Sequence, residues 1–220
     1  MAGEHLNMNL KTGRIEALSD GIFAVAMTIL IIGFDILISP KKDISETGLI
    51  ETLLELGPDF LHYIEGFIIL GAFWMEHHYQ FHFIQRTDST LLFINIIGLM
   101  FIVLIPFSTC VAGDYSGTRV AAWLLEVNLL IAGLVFYLHW RYATAHHRLV
   151  APSLDHRVIV FYARRNLIVP LVSVVALIVS GFQPHWGHLL YLIVPFILIF
   201  YTFTGHVHRA PAGSAIPGGG

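Results

Sequence analysis

Apolar residues fall in six blocks of about 20, at roughly 18–38, 58–80, 89–111, 120–141, 158–181 and 187–205, with most charge and turn residues between them. A helix of about 20 apolar residues crosses a hydrocarbon core of about 30 Å. The pattern therefore predicts an all-α membrane protein with six transmembrane helices. In the first block Ile22, Val25, Ile29, Ile32 and Ile36 follow one another at spacings of 3, 4, 3 and 4, so they form one stripe on a helix. Every one is β-branched and stiff at χ1. The stripe reads in two ways: as ordinary packing, with Ala24 and Gly33 as small contacts, or as the wall of a narrow hydrophobic neck that gates by dewetting if several copies surround an axis. Beside it, Thr28 offers a hydroxyl that can replace part of an ion's water shell, and Asp35 a carboxylate that draws cations to the far end of the helix. Ser19 and Asp20 read as a helix cap with its carboxylate near the positive end of the dipole.

Composition agrees with the pattern. Hydrophobic residues make up 56% and charged residues 12% of the 220, against roughly 45–50% and about 25% in soluble domains. The expected organisation is one membrane domain over 1–209 and a low-complexity tail, APAGSAIPGGG, over 210–220, which is expected to be disordered or tag-like. A net charge of −3 without a basic, aromatic-studded patch excludes a nucleic-acid partner. The lone cysteine, Cys110, allows neither an internal disulfide nor a cysteine metal cluster. Lys11 and Arg14 precede an apolar run as in a signal peptide, but the run is too long and lacks a cleavage site, so a retained helix is expected. Lys11, Arg14, Arg86, Arg141, Arg148, Arg157, Arg164, Arg165 and Arg209 fall on one side of the six-helix arrangement, and Lys41, Lys42 and Arg119 on the other. Positive charge is retained inside, so both termini are expected in the cytoplasm.

Polar residues inside the blocks supply the candidate chemistry. His78 and His82 share a helix face, a beginning of a metal site, but further ligands are needed; no metal and no cofactor is expected. Asn95 reads as a hydrogen bond between helices, and Pro106 should bend or end the third block. Glu126 lies near the outer boundary, and Trp123, Trp140 and Trp186 sit at block ends as interfacial tryptophans do. Between Ser39 and Pro58, acidic residues alternate with leucines, which suggests a short amphipathic surface helix.

The run RIEALSDGIFAVAMT, Arg14 to Thr28, resembles the R-x-x-x-F-S-D-G signature of bacterial relatives of the lysosomal potassium channel, the transmembrane protein 175 family. Phe73-Trp74 with His77-His78, and Asn95 followed by Pro106-Phe107-Ser108-Thr109, resemble that family's second- and third-helix patterns. Leu18 departs from the signature phenylalanine. The resemblance implies a homotetramer in the cell membrane, with the first helix of each subunit lining a central cation pore. It assigns Val25, Ile29 and Ile32 to the pore constriction, to which the stripe adds Ile22, Thr28 to potassium preference, and Arg14, Ser19, Asp20, Trp74, His77 and His78 to a structural polar network that Asn95 joins as a bond between helices. The function implied is a potassium-permeable, weakly selective channel that also passes other monovalent cations, and not an enzyme. A proton-coupled transporter using Asp20, Glu76 and the histidines, a histidine-metal membrane enzyme and a structural interaction protein are the alternatives from other classes.

Overall fold

The computed structural model describes residues 12–33 and 45–207, with side chains as far as 202. Asp35, Ile36, the tail and the terminal charges that bear on orientation lie outside the described residues. Helix α1 spans Gly13–Ile29 and tightens into a 3-10 turn over Leu30–Gly33; α2 spans Glu46–Glu55, α3 Gly57–Phe83, α4 Ser89–Asp114 and α5 Arg119–Thr144. After a corner come α6 (His156–Arg165), α7 (Ile168–Phe182), a short α8 (Pro184–Gly187), a 3-10 stretch His188–Ile193 and α9 (Val194–Val207). Among the described residues there is no strand, only an isolated bridge between Ile84 and Val150.

Among the described residues, five stretches are long and apolar enough to cross a membrane: Gly13–Gly33, Ser89–Asp114, Arg119–His147, His156–Phe182 and Pro184–Thr202. The expected second block is α3, whose 27 residues reach about 40 Å at 1.5 Å per residue. It falls short in apolarity because it carries Glu65, Glu76, His77 and Gln80. Those four side chains point inward, at 0%, 4%, 3% and 0% exposure. The outside is the greasy side: on α4, Phe93, Met100, Val103 and Phe107 are all more than half exposed, while Asn95, Ser108 and Thr109 are buried. A helix apolar all round belongs in lipid, and polar groups there turn toward other helices.

Helix α5 runs through the middle, packed against α4 on one side and α7 on the other. Leu125, Leu129 and Ala132 are fully buried along it. Close approach rests on two glycines: a Cβ on Gly133 would lie 2.6 Å from Pro170 Cδ, and one on Gly98 would lie 3.2 Å from Phe136 Cε2.

Four sequence expectations meet the structure as follows. Pro106 neither ends nor divides α4, which continues to Asp114; membrane helices accommodate an internal proline when neighbours absorb the freed carbonyl. The fifth block breaks between Arg165 and Ile168, and the sixth begins as a short helix and a 3-10 turn. Trp140 is not interfacial: it is fully buried, and its indole N–H donates to the Ile159 carbonyl at 3.0 Å. Helix α2 is the short surface helix that the acidic–leucine alternation suggested: it is capped by the Ser45 hydroxyl accepting from Gly48 N at 3.1 Å and buries none of its residues in this chain.

At the end of the bundle that carries the start of α1, two loops are joined. Gln85 N donates to Leu149 O at 2.9 Å, Arg86 Nε to Arg148 O at 3.2 Å, and the Tyr142 hydroxyl to Asp88 Oδ2 at 2.7 Å. Asp88 also caps α4 by accepting from Leu91 N at 2.8 Å. His146 and His147 turn the corner with φ of 52° and 53°, a left-handed conformation that costs roughly 1–2 kcal/mol per non-glycine residue.

Candidate ion pathway and the polar network behind the first helix

Helix α1 has two unlike faces. Phe23, Ala26 and Leu30 are at 1%, 2% and 3% exposure, and Phe23 lies edge-on to Phe136, with ring centroids 6.4 Å apart. On the other side Val25, Ile29 and Ile32 stand 56%, 44% and 56% exposed. Ile22, the first residue of the predicted stripe, is half-buried and packs against the core, so the bare part of the stripe begins at Val25. The 3-10 turn matters here, because residues three apart eclipse in that geometry. That tightening brings Ile32, at the next turn, closer to the line of Ile29 than an α-helix would. Thr28 is exposed beside them, its hydroxyl within bonding distance of the Ala24 and Val25 carbonyls at 3.0 and 2.9 Å. That leaves the oxygen lone pairs free to meet a cation.

Behind α1 the structure brings together most of the residues assigned to the network. Asn95 Nδ2 donates to Ser19 Oγ at 3.3 Å, and Asn95 Oδ1 lies 3.0 Å from His77 Nε2. An amide oxygen only accepts, so His77 carries its proton on Nε2. The Trp74 indole N–H donates to Asp20 Oδ1 at 2.9 Å, and the same ring stacks on His78 at 5.6 Å. Ser19 is fully buried in mid-helix rather than capping one. Arg14 is exposed one turn before it and is not joined to these groups among the described residues.

Sequence reasoning missed the deeper part of this network. Gln80 Nε2 donates to the Phe136 carbonyl at 3.1 Å and to Asn166 Oδ1 at 2.9 Å, while Gln80 Oε1 accepts from His139 Nδ1 at 2.6 Å. Arg165, counted by sequence among the inner-side charges, is buried; its Nε donates to Glu76 Oε1 at 2.5 Å, its Nη1 donates to Thr202 Oγ1 at 2.7 Å, and the guanidinium lies 4.8 Å over the Tyr79 ring. The break in the fifth block falls beside these groups, with Asn166 Nδ2 donating to the Tyr162 carbonyl at 2.8 Å. The available signal was Glu76 itself, since an ionisable residue in a membrane helix needs a partner.

Toward the opposite end lies a second polar layer. Glu126, placed by its sequence position near the outer boundary, is fully buried and accepts from the Ser180 hydroxyl. Asn128 Nδ2 donates to Ser108 Oγ at 3.1 Å, and Tyr191 to Ser173 Oγ at 2.9 Å. His62, Glu65 and His188 converge nearby, all three buried. His78 and His82, the pair with metal-ligand spacing, are both exposed, and among the described residues they belong to no such cluster.

Fold and site together define a multi-pass helical membrane protein whose polar residues are gathered inside and whose first helix leaves one β-branched face uncovered. The sequence profile described as endosomal/lysosomal potassium channel TMEM175 matches residues 14–106. A potassium channel of Chamaesiphon minutus is 34% identical over 148 residues, 66% of this chain and 72% of the relative. The endosomal/lysosomal proton channel TMEM175 of Gallus gallus is 27% identical over 217 residues, 89% of this chain and 42% of that protein. The crystal structure of a lysosomal potassium-selective channel TMEM175 homologue from Chamaesiphon minutus aligns with a TM-score of 0.72 at 28% identity, covering 88% of this chain and 97% of that one. This chain belongs to the TMEM175 family. That family and these relatives are channels, and the chain is not an enzyme.

Proposed function

We propose that this protein is a potassium-permeable, weakly selective, leak-type cation channel, assembled as a homotetramer in the cell membrane with four copies of α1 around the pore. The observation that carries the reading is the two-faced first helix: Phe23, Ala26 and Leu30 anchor it to its own subunit, while Val25, Ile29 and Ile32 stay bare. A stiff apolar ring forces an ion to shed water, and that dehydration is the permeation barrier. Thr28 supplies oxygens that compensate potassium better than sodium, and Asp35 concentrates cations at the outer mouth. Helix α3 is the sixth membrane helix, tolerable in lipid because its charged groups face inward. Both termini are cytoplasmic by the lysine and arginine bias. Ser19, Asp20, Trp74, His77, His78 and Asn95 hold α1 against α3 and α4, with Arg14 at the entrance.

A proton-conducting reading has one observation in its favour, the ladder of hydrogen bonds from Ser19 through Asn95 to His77. Against it, the next ring, His139, lies 6.2 Å away centroid to centroid and bonds to Gln80 instead. Potassium flux into liposomes holding the pure protein tests the main reading. Val25→Asn and Ile29→Asn should raise flux and weaken ion preference, since a polar ring lowers the dehydration barrier. If neither changes flux or preference, the pore does not run along α1; proton flux without potassium flux supports the relay.

A further inference from the structure

His62 and Glu65 stand three residues apart on α3 and share one face, and His188 meets them from the 3-10 turn that opens the last apolar span. Glu65 Oε2 is 3.0 Å from His188 Nδ1 and 3.5 Å from His62 Nδ1, and the ligand atoms all lie within 4.8 Å of one another. A zinc ion with bonds of about 2.0–2.1 Å to nitrogen and oxygen sets neighbouring ligands of a tetrahedron about 3.3 Å apart. The two measured separations bracket that edge. Burial is near complete, at 8%, 0% and 6% for His62, Glu65 and His188.

An ordinary hydrogen-bonded trio does not satisfy these groups. One proton on His188 serves Glu65 Oε2, which leaves His62 Nδ1 and Glu65 Oε1 buried without a partner. Such orphans are costly. A divalent cation engages both imidazoles and the carboxylate at once, because its ligands are lone pairs of neutral imidazole and carboxylate. The two imidazole rings are 4.7 Å apart, and Gly113 leaves room for the first: a Cβ there would meet His62 Cδ2 at 3.0 Å. A small cavity reaches the trio at His62. It has a volume of about 30 Å³ and is lined by His62 together with Asp59, Cys110 and Asp114, and Leu30 and Gly33 of α1 form part of its wall.

We propose that His62, Glu65 and His188 bind a zinc-class divalent cation, with water as the fourth ligand, and that the ion clamps α3 to the last apolar span. Two imidazoles and one carboxylate favour zinc over magnesium or calcium, which take oxygen shells. The proposal runs against the expectation of no bound metal, which weighed histidines close in sequence and not this trio. The site stands whether or not α1 lines a pore.

The test uses the full chain in detergent, stripped with chelator, dialysed against micromolar zinc and analysed for metal. One zinc per chain is expected, with affinity lowered about tenfold or more in His62→Gln and His188→Gln and unchanged in the combined His78→Gln, His82→Gln variant. X-ray absorption of the loaded wild type should show only nitrogen and oxygen neighbours at about 2.0–2.1 Å, and zinc should raise the Tm of the wild type but of neither trio variant. No zinc retained by the wild type, wild-type affinity in both trio variants, or a sulfur neighbour at about 2.3 Å from Cys110 overturns the proposal. The absorption measurement needs no variant, so it decides the matter even if a substitution prevents folding.

Discussion

Arg165 Nε lies 2.5 Å from Glu76 Oε1 across 89 positions of sequence, with both side chains buried. This ion pair joins α3 to the break between α6 and α7. Taking two charges out of water is expensive, so such a pair holds only while both members are present. Arg165→Met strands the carboxylate and should lower stability by about 3–5 kcal/mol. The double variant Glu76→Met, Arg165→Met should recover most of that loss. Unfolding of the full chain in detergent, followed by tryptophan fluorescence, makes the comparison; a double variant no better than the single one contradicts the coupling.

The network behind α1 gives a graded series. Trp74→Phe removes only the donor to Asp20 and should cost about 1 kcal/mol. Asn95→Leu leaves both Ser19 and His77 unsatisfied in a buried site and should cost about 1–3 kcal/mol. Potassium flux scaled to the amount of folded protein should stay close to wild type in Trp74→Phe. A large flux change at unchanged stability would make the network part of the conduction path.

Thr28 separates shape from chemistry, since valine has nearly its volume without the hydroxyl. Thr28→Val should lower the potassium-to-sodium permeability ratio severalfold and Thr28→Ser should preserve it, read from reversal potentials in planar bilayers. Equal ratios in all three proteins would remove the hydroxyl from the selectivity argument.

Two glycines test the helix contacts. Gly133→Val drives a side chain into Pro170 at the α5–α7 crossing and should cost about 1–3 kcal/mol by overpacking. Gly71 has only Met27 Cε near, at 4.0 Å, so Gly71→Ala should be neutral or raise stability by up to about 1 kcal/mol through helix propensity. Thermal unfolding in detergent ranks the pair.

What was legible in the sequence follows from what periodicity records. Runs of apolar residues located the helices, because lipid demands about 20 of them in a row whatever the tertiary fold. Periodicity also placed Val25, Ile29 and Ile32 on one side of α1, and the structure leaves that side uncovered. It could not distinguish Ile22, whose partners come from elsewhere in the chain. Long-range polar pairs were the main loss. Gln80 with His139 and Asn166, and Glu65 with His188, join residues 59 to 123 positions apart, and no local pattern encodes which buried donor meets which acceptor. The helix breaks near Asn166 and after Pro184 were hidden for a related reason: hydropathy reads the same on either side of them.

The paired loops at the start-of-α1 end have a mechanical consequence. Ile84 with Val150, Gln85 with Leu149 and Tyr142 with Asp88 join the α3–α4 connection to the α5–α6 connection at several points. Helices α4 and α5 are thereby held at both ends, by these loop contacts at one and by the short connection over residues 115–118 at the other. A pair of rods fixed at both ends cannot splay, so α4 and α5 form a stiff spine for the subunit, and α1 is laid against it through α4.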